Sequence, residues 1–247
     1  MMHFNKAIPA VFEPYLADSE IQDRSFSEEA EVYYINKDRG YYLKHAEGLE
    51  REYRNAVGMH RLGFGPKPVL FEDGWMLTEK AEGESCISPR YLEDPDRLCH
   101  VMADILRQVH ASSSVGFSAI RDSYIQNVYA GHAQGNNSLD LCPEWFQISS
   151  LEEAFEIFER GKHLLREETV VHGDYCLPNI LLKDWEFSAL IDFDHAGVFD
   201  RHIDLYWAVW TLQRNLHTEA YTKTFLDAYG DYDPEVLRVV AAAEVFG

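Results

Sequence analysis

Three oxygen-bearing side chains between residues 170 and 194 have the types and spacing for chemistry on a phosphate. The stretch reads Val170-Val-His-Gly-Asp-Tyr-Cys-Leu-Pro-Asn-Ile-Leu-Leu182, then residues 183–187, then Ser188-Ala-Leu-Ile-Asp-Phe-Asp194. Asp174 falls on a loop bounded by Gly173 and Pro178, and Asn179 follows five positions later. Two β-like runs, 180–182 and 189–191, then lead to Asp192. If those runs pair as a hairpin turning near Trp185, Asn179 lies opposite Ile191 or Asp192, roughly 5 Å away. An amide oxygen and two carboxylates converging on one point are hard donors suited to a divalent cation that carries phosphate. Phosphoryl transfer of the kinase type needs the same series. A loop Asp takes the proton of the attacking hydroxyl, an Asn stands five residues on, and an Asp lies beyond the next strand pair.

Nucleotide phosphates also need a cation. Lys44 ends a strand-like run, 41–44, where a Val-Ala-Ile-Lys type of lysine would sit. The helical stretch that follows offers Glu50 and Glu52 to aim it; Glu52 is the expected partner and Glu50 a surface carboxylate. Each residue alone has a plainer reading: a polar loop for Asp174, Asn179 or Asp192, a solvated strand lysine for Lys44, a core ring for Tyr42. The order and spacing of the whole set carry the argument.

With these residues in view, the sequence resembles the aminoglycoside phosphotransferases, which share the protein-kinase-like fold with choline and other small-molecule kinases. The resemblance rests on His172-Gly-Asp174, Asn179, Ile191-Asp192 and Asp200-Arg-His-Ile-Asp204. The string His172-Gly-Asp-Tyr-Cys-Leu-Pro-Asn179 is similar to the 3'-phosphotransferase branch. The similarity extends to Tyr42-Leu-Lys44, Leu49-Glu-Arg-Glu52, Ala81-Glu-Gly83 and Glu244-Val-Phe246, and so covers the chain from about residue 25 onward. It implies Mg²⁺-dependent transfer of the γ-phosphate of ATP or GTP to a hydroxyl of an amino sugar. Asp174 is then the catalytic base, and Asn179 and Asp192 are the metal ligands. Lys44, held by Glu52, meets the α- and β-phosphates. Tyr42 stacks on the base, backbone groups of Glu79 and Ala81 bond its edge, and Ser25 or Ser27 contacts the phosphates. Asp204 braces the catalytic loop. Glu144, His195 and Glu244 are candidates for the acceptor. The chain departs from the family after Asp192, where Phe193-Asp194-His195 replaces the usual Gly and Arg. It departs again in the phosphate-covering loop, which has no glycine but carries Glu28, Glu29 and Glu31.

The elements that must position these residues are legible as pattern. Residues 31–35 and 41–44 read as a hairpin, 49–62 as a helix ended by Gly63, and 69–71 and 75–78 as two more strands. Beyond Ala81-Glu-Gly83 the pattern turns helical, over 96–110, 151–165, 203–212, 218–229 and 234–246, with Gly131 to Ser138 read as a loop. The expected fold is α+β, bilobal and protein-kinase-like. Residues 1–80 form an N-lobe with a small mixed β-sheet and one helix, and 81–247 a mainly helical C-lobe.

Composition bounds the rest. The chain has 247 residues and 42 Asp+Glu against 22 Lys+Arg, a net charge of −20. That balance disfavours nucleic acid and suits a small, cationic acceptor. Neither a signal peptide nor a membrane span is expected, and four scattered cysteines point to a reduced, cytoplasmic setting. Five glutamates between 144 and 159 read mostly as a solvated face, with Glu144 the leading one for ammonium groups. Two other readings stay open: a same-fold kinase acting on choline, an amino acid or a sugar, and a nucleotide-binding pseudokinase.

Overall fold

The computed structural model describes residues 6–25 and 30–247. By its contacts the chain divides into two compact units, Met1–Glu82 with Ser188–Asp194, and Gly83–Phe187 with His195–Gly247.

The first unit is built on a five-stranded sheet. A short helix α1 (Glu13–Leu16) precedes β1 (Glu20–Asp23), β2 (Ala30–Asn36) and β3 (Tyr41–Ala46); α2 (Leu49–Leu62), β4 (Pro68–Glu72) and β5 (Trp75–Glu79) follow. The order is β1-β2-β3-β5-β4, with every neighbour antiparallel. Alternation along β2 and β3 sorts the side chains. Tyr33, Ile35 and Leu43 turn into a core closed by Phe12, Trp75 and Leu77. Tyr42 and Lys44 turn to the other face, opposite Tyr34 and Val32 in the register. Helix α2 occupies the expected residues. It stops because Gly63, at φ 86°, lets its own amide and that of Phe64 fold back on the carbonyls of His60 and Met59.

The second unit contains β6 (Glu84–Ser85), α3 (Pro89–Leu92), α4 (Pro95–His110), α5 (Arg121–Gln134), α6 (Leu151–Gly161), β7 (Thr169–Val171) and β8 (Ile180–Lys183). After β9 (Glu186–Leu190), along which the chain passes into the first unit, come β10 (Gly197–Phe199), α7 (His202–Leu216), α8 (Ala220–Tyr229) and α9 (Pro234–Glu244). Strand β7 pairs with β10, and β6 with β8. One core cluster joins Val128 of α5, Ala154 and Phe158 of α6, and Ala242, Ala243 and Phe246 at the chain's end. No helix among the described residues is long and apolar enough to cross a membrane.

Three expectations need correction. Residues 131–134 belong to α5 rather than to a loop. That helix has no apolar stripe to announce it, and Gly131 sits within it because a Cβ there would run into the Phe246 carbonyl. The hairpin of β8 and β9 turns near Trp185 as expected, but through the pair Asp184–Trp185 alone and not over residues 183–187. Both residues have positive φ (52° and 71°), as the tight mirror-image turns that suit strand twist require. Helix α6 ends at Gly161 and tightens into a single 3-10 turn, Lys162–Leu164. Its glycine is steric, since a Cβ would run into Val239 of α9. Gly161→Ala is therefore expected to lower stability by about 1–3 kcal/mol through overpacking. A urea midpoint equal to that of the wild type would show that α6 and α9 can part at no cost.

Candidate active site

In the second unit, the loop after β7 is fastened residue by residue. Asp204 of α7 is fully buried. It accepts the His172 amide at 2.8 Å on Oδ2 and the Gly173 amide at 2.7 Å on Oδ1. The Nε2 of His110 from α4 lies 3.0 Å from the same Oδ2, and His110 Nδ1 is 2.8 Å from the Tyr229 hydroxyl of α8. Gly173, at φ 82°, lies so close to His195 that a Cβ would run into its carbonyl. Further along, Tyr175 donates its hydroxyl to the Met102 carbonyl, Thr211 Oγ1 accepts the Leu177 amide, and Ser85 Oγ donates to the carbonyls of Leu177 and Pro178. His172 is wholly buried, and its Nδ1 accepts the Asp174 amide at 3.3 Å.

That loop presents Asp174 with Asn179. Asn179 Nδ2 donates to the Asp174 carboxylate at 2.9 Å and to its backbone carbonyl at 3.0 Å. Both bonds use the amide nitrogen, which leaves the Asn179 carbonyl oxygen for another role. Cys176 lies within the loop, and burial, reinforced by the Asp174 carboxylate, drives its thiol far above the ordinary range. It has no nucleophilic character.

The first unit brings together Lys44, Glu52 and Asp192. Lys44 Nζ lies 2.7 Å from Glu52 Oε2 and 3.2 Å from Asp192 Oδ1. Burial works against its charge, but the two carboxylates outweigh it and hold the ammonium's pKa above the ordinary value. Burial also raises the pKa of Glu52, against the pull of Lys44. Tyr42, two residues before Lys44 on the same sheet face, packs its ring 5.4 Å from that of Tyr34. The backbone after β5 is partly committed: Glu79 N donates to Lys67 O and Lys80 N to Gly40 O, both at 2.9 Å. Glu79 and Ala81 line a cleft of about 250 Å³ with Lys67 and Ser188. Ser27 lies outside the described residues. Ser25 closes its own turn, its Oγ accepting the Val32 amide at 3.0 Å.

The acceptor candidates all lie in the second unit. Glu144 is exposed on a 3-10 turn, and His195 is exposed beside Gly173. Glu244 is different, because it is buried at the end of α9 and accepts the Tyr124 hydroxyl at 2.7 Å. Desolvation pushes its pKa up to about 7; the Tyr124 bond opposes the rise and the Asp174 charge adds to it. Most of the glutamate run is occupied on the surface, Glu153 by Ser149 and Arg238, Glu156 by Arg160, and Glu159 by Lys162. Sequence reasoning missed Arg51 and Asn55 on α2 and Ser85, Thr211 and Tyr124, whose partners are all remote in the chain.

Residues 21–240 match the model of APH, the phosphotransferase enzyme family. The chain is 40% identical over 249 residues to a probable aminoglycoside 3'-phosphotransferase of Lactococcus lactis, covering 97% of this chain and 95% of that protein. Among solved structures, aminoglycoside-3'-phosphotransferase of type VIII superposes with a TM-score of 0.72 at 24% identity, covering 92% and 94% of the two chains. A ternary complex of aminoglycoside phosphotransferase APH(4)-Ia with AMP-PNP and hygromycin B superposes with a TM-score of 0.66 at 12% identity, covering 94% and 86%. The α+β, protein-kinase-like class read from the sequence is thus the observed one. The chain belongs to the APH family of phosphotransferase enzymes.

The burial of Glu244 has a measurable consequence. Its carboxyl ionises near 4.5 when exposed in the unfolded chain and near 7 in the fold. Below pH 4.5 both states keep the proton and the fold suffers no penalty. Between pH 4.5 and 7 the unfolded chain ionises while the fold keeps its proton, and a penalty of roughly 3 kcal/mol accumulates, complete once pH passes 7 and both states are ionised. Glu244→Gln keeps an acceptor for Tyr124 and removes that penalty. Its melting temperature, relative to the wild type, should climb between pH 5 and 8; a difference that stays flat across this window would contradict the assignment.

Proposed function

We propose that this chain transfers the γ-phosphoryl group of ATP to a hydroxyl of an aminoglycoside-like amino sugar. The observation that carries the reading is Lys44 bridging Glu52 and Asp192, because an ammonium aimed by two carboxylates is the phosphate-holding device of kinase-type sites. Kinship with the probable aminoglycoside 3'-phosphotransferase of Lactococcus lactis supports the acceptor class.

In this reading the Asp174 carboxylate, oriented by Asn179, takes the proton of the acceptor hydroxyl as its oxygen attacks the γ-phosphorus. The bond to the β,γ-bridging oxygen breaks and ADP leaves. Lys44 holds the α- and β-phosphates, and the Ala81 amide and Glu79 carbonyl serve the base. Glu244 and Tyr124, with Glu144 and His195, face the acceptor's ammonium groups, for which a chain of net charge −20 is suited. Most of the rate then comes from placement and charge neutralisation.

The residues fit a magnesium ion. In the first unit, among the described residues, the three carboxylates Glu52, Asp192 and Asp194 pair with two cations, Lys44 and Arg51. Asp192 offers a half-exposed carboxylate, a hard donor. Such an ion would neutralise the phosphate charge.

Asp174→Ala is expected to cut phosphoryl transfer by about 10³-fold or more while leaving the melting temperature near that of the wild type. The assay is ADP release with a panel of aminoglycosides, choline, amino acids and sugars. Turnover retained in the variant would remove the catalytic assignment, and turnover only with a non-aminoglycoside would move the acceptor class.

A further inference from the structure

The segment that begins at Asp192 is fastened to α2, and every contact lies within the first unit. Asn55, buried, donates from Nδ2 to the Phe193 carbonyl at 2.9 Å. Arg51, one helical turn earlier, grips Asp194 with two branches, Nε to Oδ1 at 3.2 Å and Nη2 to Oδ2 at 2.8 Å. Glu52, beside Arg51, holds the lysine whose other bond reaches Asp192. Positions 51, 52 and 55 share one side of a helix, so a single face of α2 addresses residues 192, 193 and 194 in turn. The Phe193 ring, 2% exposed, lies against Gly65 just beyond the helix, where a Cβ would sit 2.9 Å from it.

Asp192 has need of such a hold. Its φ of 66° is in the left-handed region, which a residue other than glycine keeps only where its surroundings over-determine it. Its own carboxylate is half exposed and bonds Lys44, which is too little to set a backbone. The bonds on the next two residues do that work. In the Asp-Phe-Gly triplet of protein kinases the third position is a glycine, with no side chain to tether; here it is Asp194, held by Arg51. With both its oxygens on Arg51, Asp194 acts as an anchor and not as an extra metal ligand.

We propose that Arg51 and Asn55 are positioning residues that hold Asp194 and Phe193 so that Asp192 presents its carboxylate to the magnesium ion of a bound nucleotide, an inference that rests on the function proposed above.

The test is titration of the intact protein with a non-hydrolysable ATP analogue, once with Mg²⁺ and once with EDTA in its place. Asn55→Ala should weaken the Mg²⁺-dependent binding about tenfold or more, the usual loss when a partner that orients a metal ligand is removed. Arg51→Ala and Asp194→Ala should each weaken it about threefold, and with a partly exposed pair the melting temperature should scarcely move. Metal-free affinity should stay unchanged in all three. The double variant should be no worse than either single one, and the exchanged pair Arg51→Asp/Asp194→Arg should recover part of the loss. Losses of equal size with and without Mg²⁺, losses that follow a lowered melting temperature, or variants that bind like the wild type would each overturn the proposal. Wild-type protein that binds no Mg²⁺–nucleotide would defeat the underlying function, and the positioning role with it.

Discussion

A carboxylate taken wholly out of water must be surrounded by donors, and Asp204 is the case on which the second unit turns. With no exposed surface, it collects two consecutive backbone amides and an imidazole nitrogen. Leaving any of these donors or the charge itself unmatched would cost more than most single contacts contribute. The amides belong to His172 and Gly173, the residues immediately before Asp174. The conformation of the loop that leads into Asp174 is thus dictated by a charge buried in a helix about thirty residues further along the chain.

The first unit meets the same constraint with the signs reversed. Lys44 brings an ammonium to a sheet face where burial disfavours it, and two carboxylates keep it ionised. One comes from α2, which packs on β4 and β5, and the other from the strip Ser188–Asp194 that the chain lends to this unit. The close fit of Phe193 on Gly65, and the bonds from Asn55 and Arg51, place that strip with more precision than one ion pair could.

Charge also separates the two classes of acid in this chain. The surface glutamates near α6 are mostly paired with neighbours one helical turn away, and such pairs are worth little. Glu244 is buried, bonded to a tyrosine and sensitive to Asp174, so its protonation is coupled to the charge on that loop carboxylate. The overall excess of acid on which the choice of a cationic acceptor rests is therefore less informative than one buried carboxyl.

Much was legible before any coordinates. Helix 49–62, the strands carrying Tyr42 and Lys44, and the series Asp174, Asn179, Asp192 follow from periodicities and spacings that only near neighbours set. The Lys44–Glu52 pairing was legible too, since strand and helix are adjacent in the chain. Helix α5 was not, because its apolar residues form no stripe and its Gly131 is explained only by the Phe246 backbone pressed against it. A turn near Trp185 was legible, but its two-residue form at Asp184–Trp185 was not, because neither residue is a glycine or asparagine. Nothing in the sequence announced that Arg51 meets Asp194, 143 positions away, or that His110 and Tyr229 complete the surroundings of Asp204. Local patterning determined which elements form and which residues have the chemistry. Only close packing of distant elements decided which of those residues touch, because a partner across the fold is chosen by shape and by the need to satisfy buried charge, and neither leaves a periodic mark in the chain.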